Sequence, residues 1–488
     1  MDPFARRRAG ILLHPTSLPG PPGNGDLGED AWRFVDFLAD HGISLWQTLP
    51  LGPTHGDLSP YQCLSVHAGN PRLISLQRLV EAGWLDSAEL DPSRDIGLQR
   101  QQRLAAAYNG FRMHARDSDR AALEDFIQQH AHWLEDFALY QALRGEFHGQ
   151  GWFDWPAPVR DREPAALREA RRRLASVIEQ VRFEQFVFFH QWGELRRHAN
   201  GRGVLLFGDI PIFVAYDSAD VWAERCWFAL DAEGRQTVVA GVPPDYFSAT
   251  GQRWGNPHYD WEALAADGYG WWLSRLRTQL ELFDLMRIDH FRGFEAAWEI
   301  PSQAETAVEG RWAPGPGAAF FEKVREAFGG LPLVAEDLGV ITAEVTALRE
   351  RFGLPGMKIL QFAFDGSPDN PYLPHNHEPL SVVYTGTHDN DTTLGWYRSL
   401  DEGQRDFVHR YLGGHGDDMP WLLVRTALAS VARLAILPMQ DVLGLDGAHR
   451  MNVPGVTEGN WQWRFAWGQL ESAHAERLRD WTGLYGRA

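Results

Sequence analysis

Eight short, mainly apolar runs recur along the chain, and most of them end in a polar or charged residue. Apolar runs of this length are typical of strands that are buried on both faces of a parallel sheet. Stretches of helical periodicity lie between several of the runs. The repeated order of strand and helix predicts an α/β fold, the (β/α)8 or TIM barrel. The eight runs are Ala9–Leu13, Ile43–Leu49, Val204–Phe207, Phe283–Ile288, Leu331–Ala335, Met357–Leu360, Val382–Thr387 and Leu434–Met439.

The runs are unevenly spaced, and the long gaps predict insertions. About 150 residues separate the second run from the third, far more than a barrel connection needs. Within this gap, residues 84–182 carry amphipathic patterns rich in Arg, Gln, Ala and Glu, which predict a helical insertion. A second, loop-rich insertion, 221–261, contains the aromatic segment 241–257, which has neither helical nor strand period and is typical of an active-site lid. We expect a single catalytic barrel over 1–488 that carries both insertions.

Charge and cysteine usage exclude several kinds of partner. The chain has 46 basic and 65 acidic residues, a formal net charge of −19, so its field repels nucleic acid and anionic membranes. We find no run of 18 apolar residues that predicts a membrane span. Cys63 and Cys226 lack the spacing of a zinc site or a disulfide framework, and the first apolar run is too short for a signal peptide. A cytoplasmic protein is therefore expected.

Two motifs match known patterns for dinucleotide and metal binding, but the sequence around each of them does not support such a site. Gly23 to Gly28 satisfies G-x-G-x-x-G, but prolines separate it from the preceding strand, so the turn of a dinucleotide site is absent. His388 to Asp391 offers metal ligands, but no second ligand cluster of similar density accompanies it. Neither a nucleotide nor a metal is expected.

Four carboxylates follow predicted strands, at the edge where the loops of a barrel build its active site: Asp209, Asp289, Glu336 and Asp389. Cleavage of a glycosidic bond with retention uses one carboxylate as nucleophile and one carboxylic acid as proton donor. Asp289 and Glu336 follow neighbouring strands in this count. Arg287 beside Asp289 would keep that aspartate ionised, and an acidic neighbour with apolar walls would raise the pKa of Glu336.

Tryptophan is abundant, with 21 residues, and flat amphipathic rings suit the apolar faces of sugars as well as they suit protein cores. Most of these rings belong to the core. Trp254 and Trp461, however, lie in Gly/Pro-rich loops, where a core position is hard to form. Their placement favours a sugar ligand.

Several blocks of the chain resemble the α-amylase superfamily, and within it the 4-α-glucanotransferase branch, the amylomaltases of glycoside hydrolase family 77. Four of these blocks contain the carboxylates named above, and the remainder extend the resemblance over nearly the whole chain. The blocks are Gly208–Ile212, Met286–Gly293, Ala335–Gly339, Thr385–Asp391, His14–Gly20, Ser59–Gln62, Gly241–Pro257, Gln361–Asp365, Arg450–Asn452 and Gly459–Arg464.

The resemblance implies roles for the three catalytic carboxylates. Asp289 would be the nucleophile that forms a β-glycosyl-enzyme, and Glu336 the general acid and base. Asp389 would hold hydroxyls of the distorted sugar in subsite −1. The implied activity is transfer of α-1,4-glucan segments to the 4-OH of an acceptor glucan or glucose.

The same resemblance implies a set of substrate-binding residues. Tyr61 would flank the donor sugar, while Gln252 and Trp254, with Tyr246, would close over the acceptor side. For Asn460 and Trp461, a second interpretation stays open, a turn that closes the last helix onto the barrel. The remaining members, around subsite −1, are Asp209, Arg287, His290 and His388.

The sequence also leads to expectations about substrates and leaves alternative functions open. The resemblance implies α-1,4-glucans and glucose as substrates, with no NAD, phosphate cofactor or obligatory metal. An α-glucan hydrolase with the same carboxylates stays an alternative, as do a non-catalytic glucan-binding protein and a metal-dependent hydrolase on a barrel. Donor length, formation of cyclic glucans and oligomeric state are not determined by the sequence.

Overall fold

The computed structural model describes residues 3–21, 23–91, 96–244 and 248–488, with only the backbone at 96–99. Twelve strands lie in this part of the chain. In chain order they are β1 (Arg8–Leu12), β2 (Leu45–Gln47), β3 (Leu205–Pro211), β4 (Val238–Val242), β5 (Gln252–Arg253), β6 (Leu285–Asp289), β7 (Ala296–Pro301), β8 (Arg311–Pro314), β9 (Leu333–Ala335), β10 (Gly356–Ile359), β11 (Ser381–Tyr384) and β12 (Leu434–Pro438).

Eight of these strands form one parallel sheet in the order β10-β11-β12-β1-β2-β3-β6-β9. The two outermost strands approach each other, because the Ala335 backbone N–H donates to the carbonyl of Pro355, just before β10, at 2.9 Å. The sheet is therefore nearly closed into a barrel. The prediction of a (β/α)8 barrel is confirmed, and each of the eight predicted runs overlaps one of its strands.

The strand ends differ from the apolar runs in two informative places. β3 continues to Pro211, beyond the predicted end at Phe207, because the next inward-facing residue, Asp209, is a buried carboxylate that an apolar pattern does not register. β11 ends at Tyr384, three residues before the predicted end. Thr385 instead turns its hydroxyl to Asp441, at 2.6 Å.

Helices connect the strands and cover the outside of the barrel. They are α1 (Glu29–Asp40), α2 (Leu76–Glu81), α3 (Ile96–His114), α4 (Asp117–Glu146), α5 (Ala157–Arg160), α6 (Pro164–Arg173), α7 (Ala175–Gly201), α8 (Ala219–Ala223), α9 (Trp261–Ala266), α10 (Gly270–Leu282), α11 (Gly317–Phe328), α12 (Ala343–Arg351), α13 (Thr393–Ser399), α14 (Glu402–Leu412), α15 (Trp421–Ala429), α16 (Met439–Val442) and α17 (Ser472–Leu484).

The connection from β2 to β3 contains α2 to α7. Two buried glutamines of α7 hold the backbone of the loop that leads into this connection. Gln185 accepts from the Gly69 N–H at 2.8 Å and donates to its carbonyl at 2.9 Å, and Gln191 pairs with the Ser75 backbone in the same way. Such paired amide contacts satisfy both polar groups of a buried peptide. The description of 84–182 as an inserted subdomain stays a prediction.

The second excursion contains a small antiparallel sheet in the order β5-β4-β7-β8. The segment 241–257 shows no strand period in the sequence, yet it contains the end of β4 and the whole of β5. β4 pairs with β7, more than fifty residues later, so its partner is invisible in a local pattern. Gly241 permits the close pairing with β5, because a Cβ atom there would lie 2.1 Å from the carbonyl oxygen of Gln252.

Two layers of apolar side chains form the core. The outer layer lies between strands and helices and contains most of the tryptophans. The smaller inner layer fills the barrel, with members such as Leu12, Leu45, Phe207, Leu285 and Val334. Among the described residues, no helix is both long and apolar enough to cross a membrane.

Candidate active site

Because side chains alternate between the two faces of a strand, the charged residues at the ends of β3, β6 and β9 point into the mouth of the barrel. On β6, Leu285 belongs to the inner core, so Arg287 and Asp289, two and four residues on, face the same way. Asp209 follows an inner residue of β3 by two positions, and Glu336 follows one of β9. The structure thus brings these four predicted site residues together above the apolar filling.

Arg287 joins two of the carboxylates. Asp209 is its register partner on the neighbouring strand, so both side chains project from the same point of the sheet. The Arg287 guanidinium donates to both oxygens of Asp209, at 2.9 and 2.8 Å, and to Oδ1 of Asp289 at 2.7 Å. The Tyr61 hydroxyl donates to Asp209 at 2.7 Å. Asp289, whose side chain is 31% exposed, is therefore held at the mouth of the barrel by a buried cation.

Glu336 directly follows β9, and its environment favours the protonated form. Burial and the charge of Asp289 raise the pKa of Glu336 to about 8. Its carboxyl oxygens accept from the backbone N–H groups of His290, at 2.7 Å, and Leu338, at 3.0 Å. These neutral donors orient the group, and Glu336 has the proton that an acid catalyst requires near neutral pH.

Asp389 lies on the rim, with its side chain 50% exposed. Its Oδ1 accepts from Asn452 Nδ2 at 2.6 Å, and its carbonyl accepts from Arg450 at 2.8 Å. His388 is buried, and its Nε2 lies 3.3 Å from Asp389 Oδ1. The rim carboxylate is thus oriented by groups on two separate loops.

Sequence reasoning assigned no role to Arg450 and Asn452, although their block was recognised. Sixty-three positions separate Asn452 from Asp389, so only the fold joins them. His14, at the start of another recognised block, was also missed. It is buried next to His388, and burial together with that histidine lowers the pKa of His14 to about 3. An alignment would have been the only signal for these three residues.

An aromatic group lies beside Asp389. Tyr61 stacks on His388 with ring centroids 5.0 Å apart, and Trp461 lies 5.9 Å from both rings. Trp461 has φ 65°, a left-handed conformation in which its N–H donates to the carbonyl of Met451. Asn460 turns away, since its amide bonds the backbone of its own loop at Val453. Only Trp461 of this pair contacts the site.

The lid segment contributes the other aromatic wall. Trp254 packs perpendicular to the ring of His290, with centroids 4.8 Å apart, and its indole N–H donates to Gln252 at 3.1 Å. Burial lowers the pKa of His290 to about 4, so this imidazole is neutral. Its Nε2 is buried and has no hydrogen-bond partner within the described chain. Tyr246 lies outside the described residues.

The described residues include no group of three or more His, Cys, Asp or Glu side chains arranged to hold a metal ion. The chemistry that the site supports is that of its carboxylates. Asp289 and Glu336 are a pair of carboxyl groups in different environments. The Arg287 guanidinium contacts Asp289, and burial favours the protonated form of Glu336. This division between two carboxyl groups is what retaining glycosidic cleavage uses.

Comparisons with known proteins agree with this geometry. A family model described as 4-alpha-glucanotransferase, glycoside hydrolase family 77, matches residues 13–470. The 4-alpha-glucanotransferase of Thermus thermophilus is 54% identical over 97% of each chain, and that of Synechocystis is 48% identical over 99% of this chain and 98% of the relative. The amylomaltase of Streptococcus agalactiae, solved in complex with acarbose, superposes with a TM-score of 0.95 at 35% identity, covering 99% of this chain and 100% of its own. The chain therefore belongs to the 4-alpha-glucanotransferase family, glycoside hydrolase family 77.

Proposed function

We propose that this protein transfers α-1,4-glucan segments from a donor maltooligosaccharide to the 4-OH of an acceptor glucan or glucose. The observation that carries the proposal is the pair of Asp289, bound to the Arg287 guanidinium, and Glu336, with a pKa of about 8. Family membership favours transfer over the hydrolase alternative. Acarbose, the ligand of the Streptococcus agalactiae relative, is proposed to bind the same site.

Transfer proceeds in two displacements. In the first, Asp289 attacks the anomeric carbon, the glycosidic bond breaks, and Glu336 gives its proton to the leaving oxygen. The leaving glucan departs with a free 4-OH. In the second, ionised Glu336 removes the proton from the acceptor 4-OH, whose oxygen displaces Asp289 from the same carbon. Two inversions give net retention.

The other predicted residues support the first step. Arg287 donates to Asp289 and is itself held by Asp209, which accepts from Tyr61, so these contacts fix the position of the nucleophile. Asp389 and His388 hold hydroxyls of the sugar in subsite −1, where the ring flattens toward the oxocarbenium-like transition state. His290 packs against the Trp254 ring and donates its backbone N–H to Glu336, so it supports both the acid and the aromatic wall.

The lid explains why a sugar, rather than water, completes the reaction. Both nucleophiles attack the same carbon, so discrimination depends on binding and on exclusion of water. A sugar acceptor gains apolar contact with Trp254 and a hydrogen bond with Gln252, whereas water gains neither. No cofactor or metal has a role in this scheme, and a cytoplasmic location stays a prediction.

The test is incubation of the purified protein with maltotriose, with and without a chelator, with products resolved by chain length and Asp289→Asn as the control. We expect a ladder of longer oligomers together with glucose, absent in the variant. Products that are only shorter sugars would support the hydrolase alternative. Loss of activity with chelator would support the metal-dependent hydrolase. No reaction in either sample would favour a glucan-binding protein.

A further inference from the structure

The segment from Thr385 to Thr393 joins β11 to α13 and carries His388 and Asp389. Both ends of this segment bind one carboxylate, that of Asp441. The Thr385 hydroxyl donates to Asp441 Oδ2 at 2.6 Å, and the Thr393 hydroxyl donates to the same oxygen at 2.7 Å. The Thr393 backbone N–H donates to Oδ1 at 2.7 Å. One side chain thus holds the entry and the exit of the loop that presents Asp389.

Asp441 is unusual among the carboxylates of the chain. It lies in α16, directly after β12, and is 0% exposed. In the described chain its hydrogen-bond donors are Thr385 and Thr393 rather than a cation, and burial, with nearby Asp391 adding to the effect, raises its pKa. A buried carboxylate without a counter-ion is costly unless hydrogen bonds compensate it. The three donors to Asp441 all come from the ends of the segment. The cost of burying this carboxylate is therefore offset only when both ends of the segment lie next to it.

The rest of the segment has internal support, and its outer face is held by one other loop. The backbone N–H and hydroxyl of Thr387 both donate to Asn390 Oδ1 at 2.9 Å, and Gln361 donates to the Asp391 carbonyl at 2.8 Å. On the solvent side, Asp389 meets Asn452, which precedes a run of exposed residues. Asp441 therefore fixes the two ends of the segment, while Asn452 and Arg450 hold Asp389 from the solvent side.

We propose that Asp441 is a positioning residue for the reaction, which acts by holding Asp389 and His388 in place around the sugar of subsite −1. The proposal rests on the proposed function and extends it to a side chain that touches no substrate. Preorganisation of groups that bind the distorted sugar contributes to transition-state stabilisation more than to ground-state binding. Loss of the anchor is therefore expected to lower kcat rather than to raise KM.

The main variant is Asp441→Asn. It keeps the size of the side chain but turns the group that faces the two threonine hydroxyls from an acceptor into a donor. We expect kcat for maltotriose disproportionation to fall about tenfold or more and KM to change less than about threefold. Affinity for acarbose, measured by calorimetry, is expected to fall about tenfold.

A double-mutant cycle separates positioning from general damage. If Asp441 acts through Asp389, then Asp441→Asn placed in an Asp389→Asn background weakens acarbose binding by less than about twofold further. Asp220→Asn is the matched control, because it removes another buried carboxylate that accepts a backbone N–H, from Val66 at 3.0 Å. Its acarbose affinity is expected to stay within about twofold of the wild type.

The outcomes decide between clear alternatives. Unchanged kcat in Asp441→Asn, or an acarbose loss of equal size in both backgrounds, would overturn the positioning role. If Asp441→Asn fails to fold, Thr385→Val and Thr393→Val each remove one hydroxyl donor and are run through the same cycle, with a smaller loss that again disappears in the Asp389→Asn background. The wild-type maltotriose assay runs alongside. If the wild type itself makes no longer oligomers, the proposed function fails, irrespective of the variants.

Discussion

At the residue scale, the site depends on two carboxyl groups that meet different neighbours. Asp289 touches the Arg287 guanidinium, whereas Glu336 receives only backbone N–H groups. Because neutral donors offset the burial of a negative charge less than a guanidinium does, Glu336 retains its proton to higher pH. The positions of one arginine and two backbone amides thus support the proposal that Glu336 is the acid and Asp289 the nucleophile.

This assignment predicts the alkaline side of the pH profile. Since the protonated form of Glu336 is the active acid, and its pKa is raised to about 8, we expect kcat/KM to fall as pH rises through that value. Glu336→Gln, which cannot supply the proton, is expected to lower kcat on maltotriose by roughly 100- to 10,000-fold. The measurement is initial rate against pH from 5 to 10. A profile that stays flat above pH 9 would remove Glu336 from this role.

At the element scale, the segment proposed as a lid includes a paired hairpin rather than an irregular loop alone. β4 and β5 pair in register, Val242 with Gln252 and Gly241 with Arg253, and this places Trp254 just beyond the end of the hairpin. The backbone of Trp254 is held as well, because its N–H donates to the Ala240 carbonyl at 3.0 Å. The backbone that carries Trp254 is therefore held by a sheet. This fixes the position of the ring that is proposed to contact the acceptor sugar.

The lid yields a prediction about the fate of the glycosyl-enzyme. Trp254→Ala removes the apolar contact that a sugar acceptor gains and water does not, so we expect hydrolysis to increase several-fold relative to transfer. Free glucose and longer oligomers, quantified from the same maltotriose reaction, measure this partition. Trp312→Ala, on β8 at the opposite edge of the same sheet, is the control. An unchanged partition in Trp254→Ala would contradict the role of the lid.

At the scale of the whole molecule, the helices between β2 and β3 meet the barrel at a cluster of buried histidines. The ring of His67 stacks on Trp133 of α4, 5.8 Å away, and its Nδ1 lies 2.9 Å from the Thr278 hydroxyl of α10. His130 of α4 accepts the indole N–H of Trp133 at 3.3 Å. Burial lowers the pKa of His67 well below its usual value and that of His130 to about 4. Both rings are neutral where helices and barrel join.

This junction predicts sensitivity to acid. A histidine with a lowered folded-state pKa stabilises the fold fully above its unfolded pKa of about 6.5, and this contribution is lost as pH falls toward 4. His130→Gln, which keeps an acceptor for Trp133, is expected to reduce the drop in unfolding free energy between pH 7 and pH 5 by about 1–2 kcal/mol. Urea unfolding at the two pH values measures it, with His114→Gln at an exposed position as control. If the unfolding free energy falls equally in both variants, His130 does not cause the sensitivity to acid.

The local pattern determined the barrel and most of the chemistry at its mouth. Apolar runs mark the strands because parallel strands are buried on both faces, and a period of two then carries Arg287, Asp289 and Glu336 inward from those runs. Asp389 likewise follows a predicted strand, and the motif resemblance adds a role for it and for His388. These features depend on residues close together in sequence, so the sequence alone is sufficient to predict them.

What only the tertiary structure decided are the contacts between distant segments. The pairing of β4 with β7, the hold of Asn452 on Asp389, and the bonds from Asp441 to both ends of its loop join residues about fifty or more positions apart. Such contacts leave no periodicity in the chain, because each is a single hydrogen bond or backbone pair that forms only after the barrel brings its loops together. The sequence was sufficient to predict which carboxylates belong to the site. The positions of their side chains depend on contacts that form only in the folded barrel.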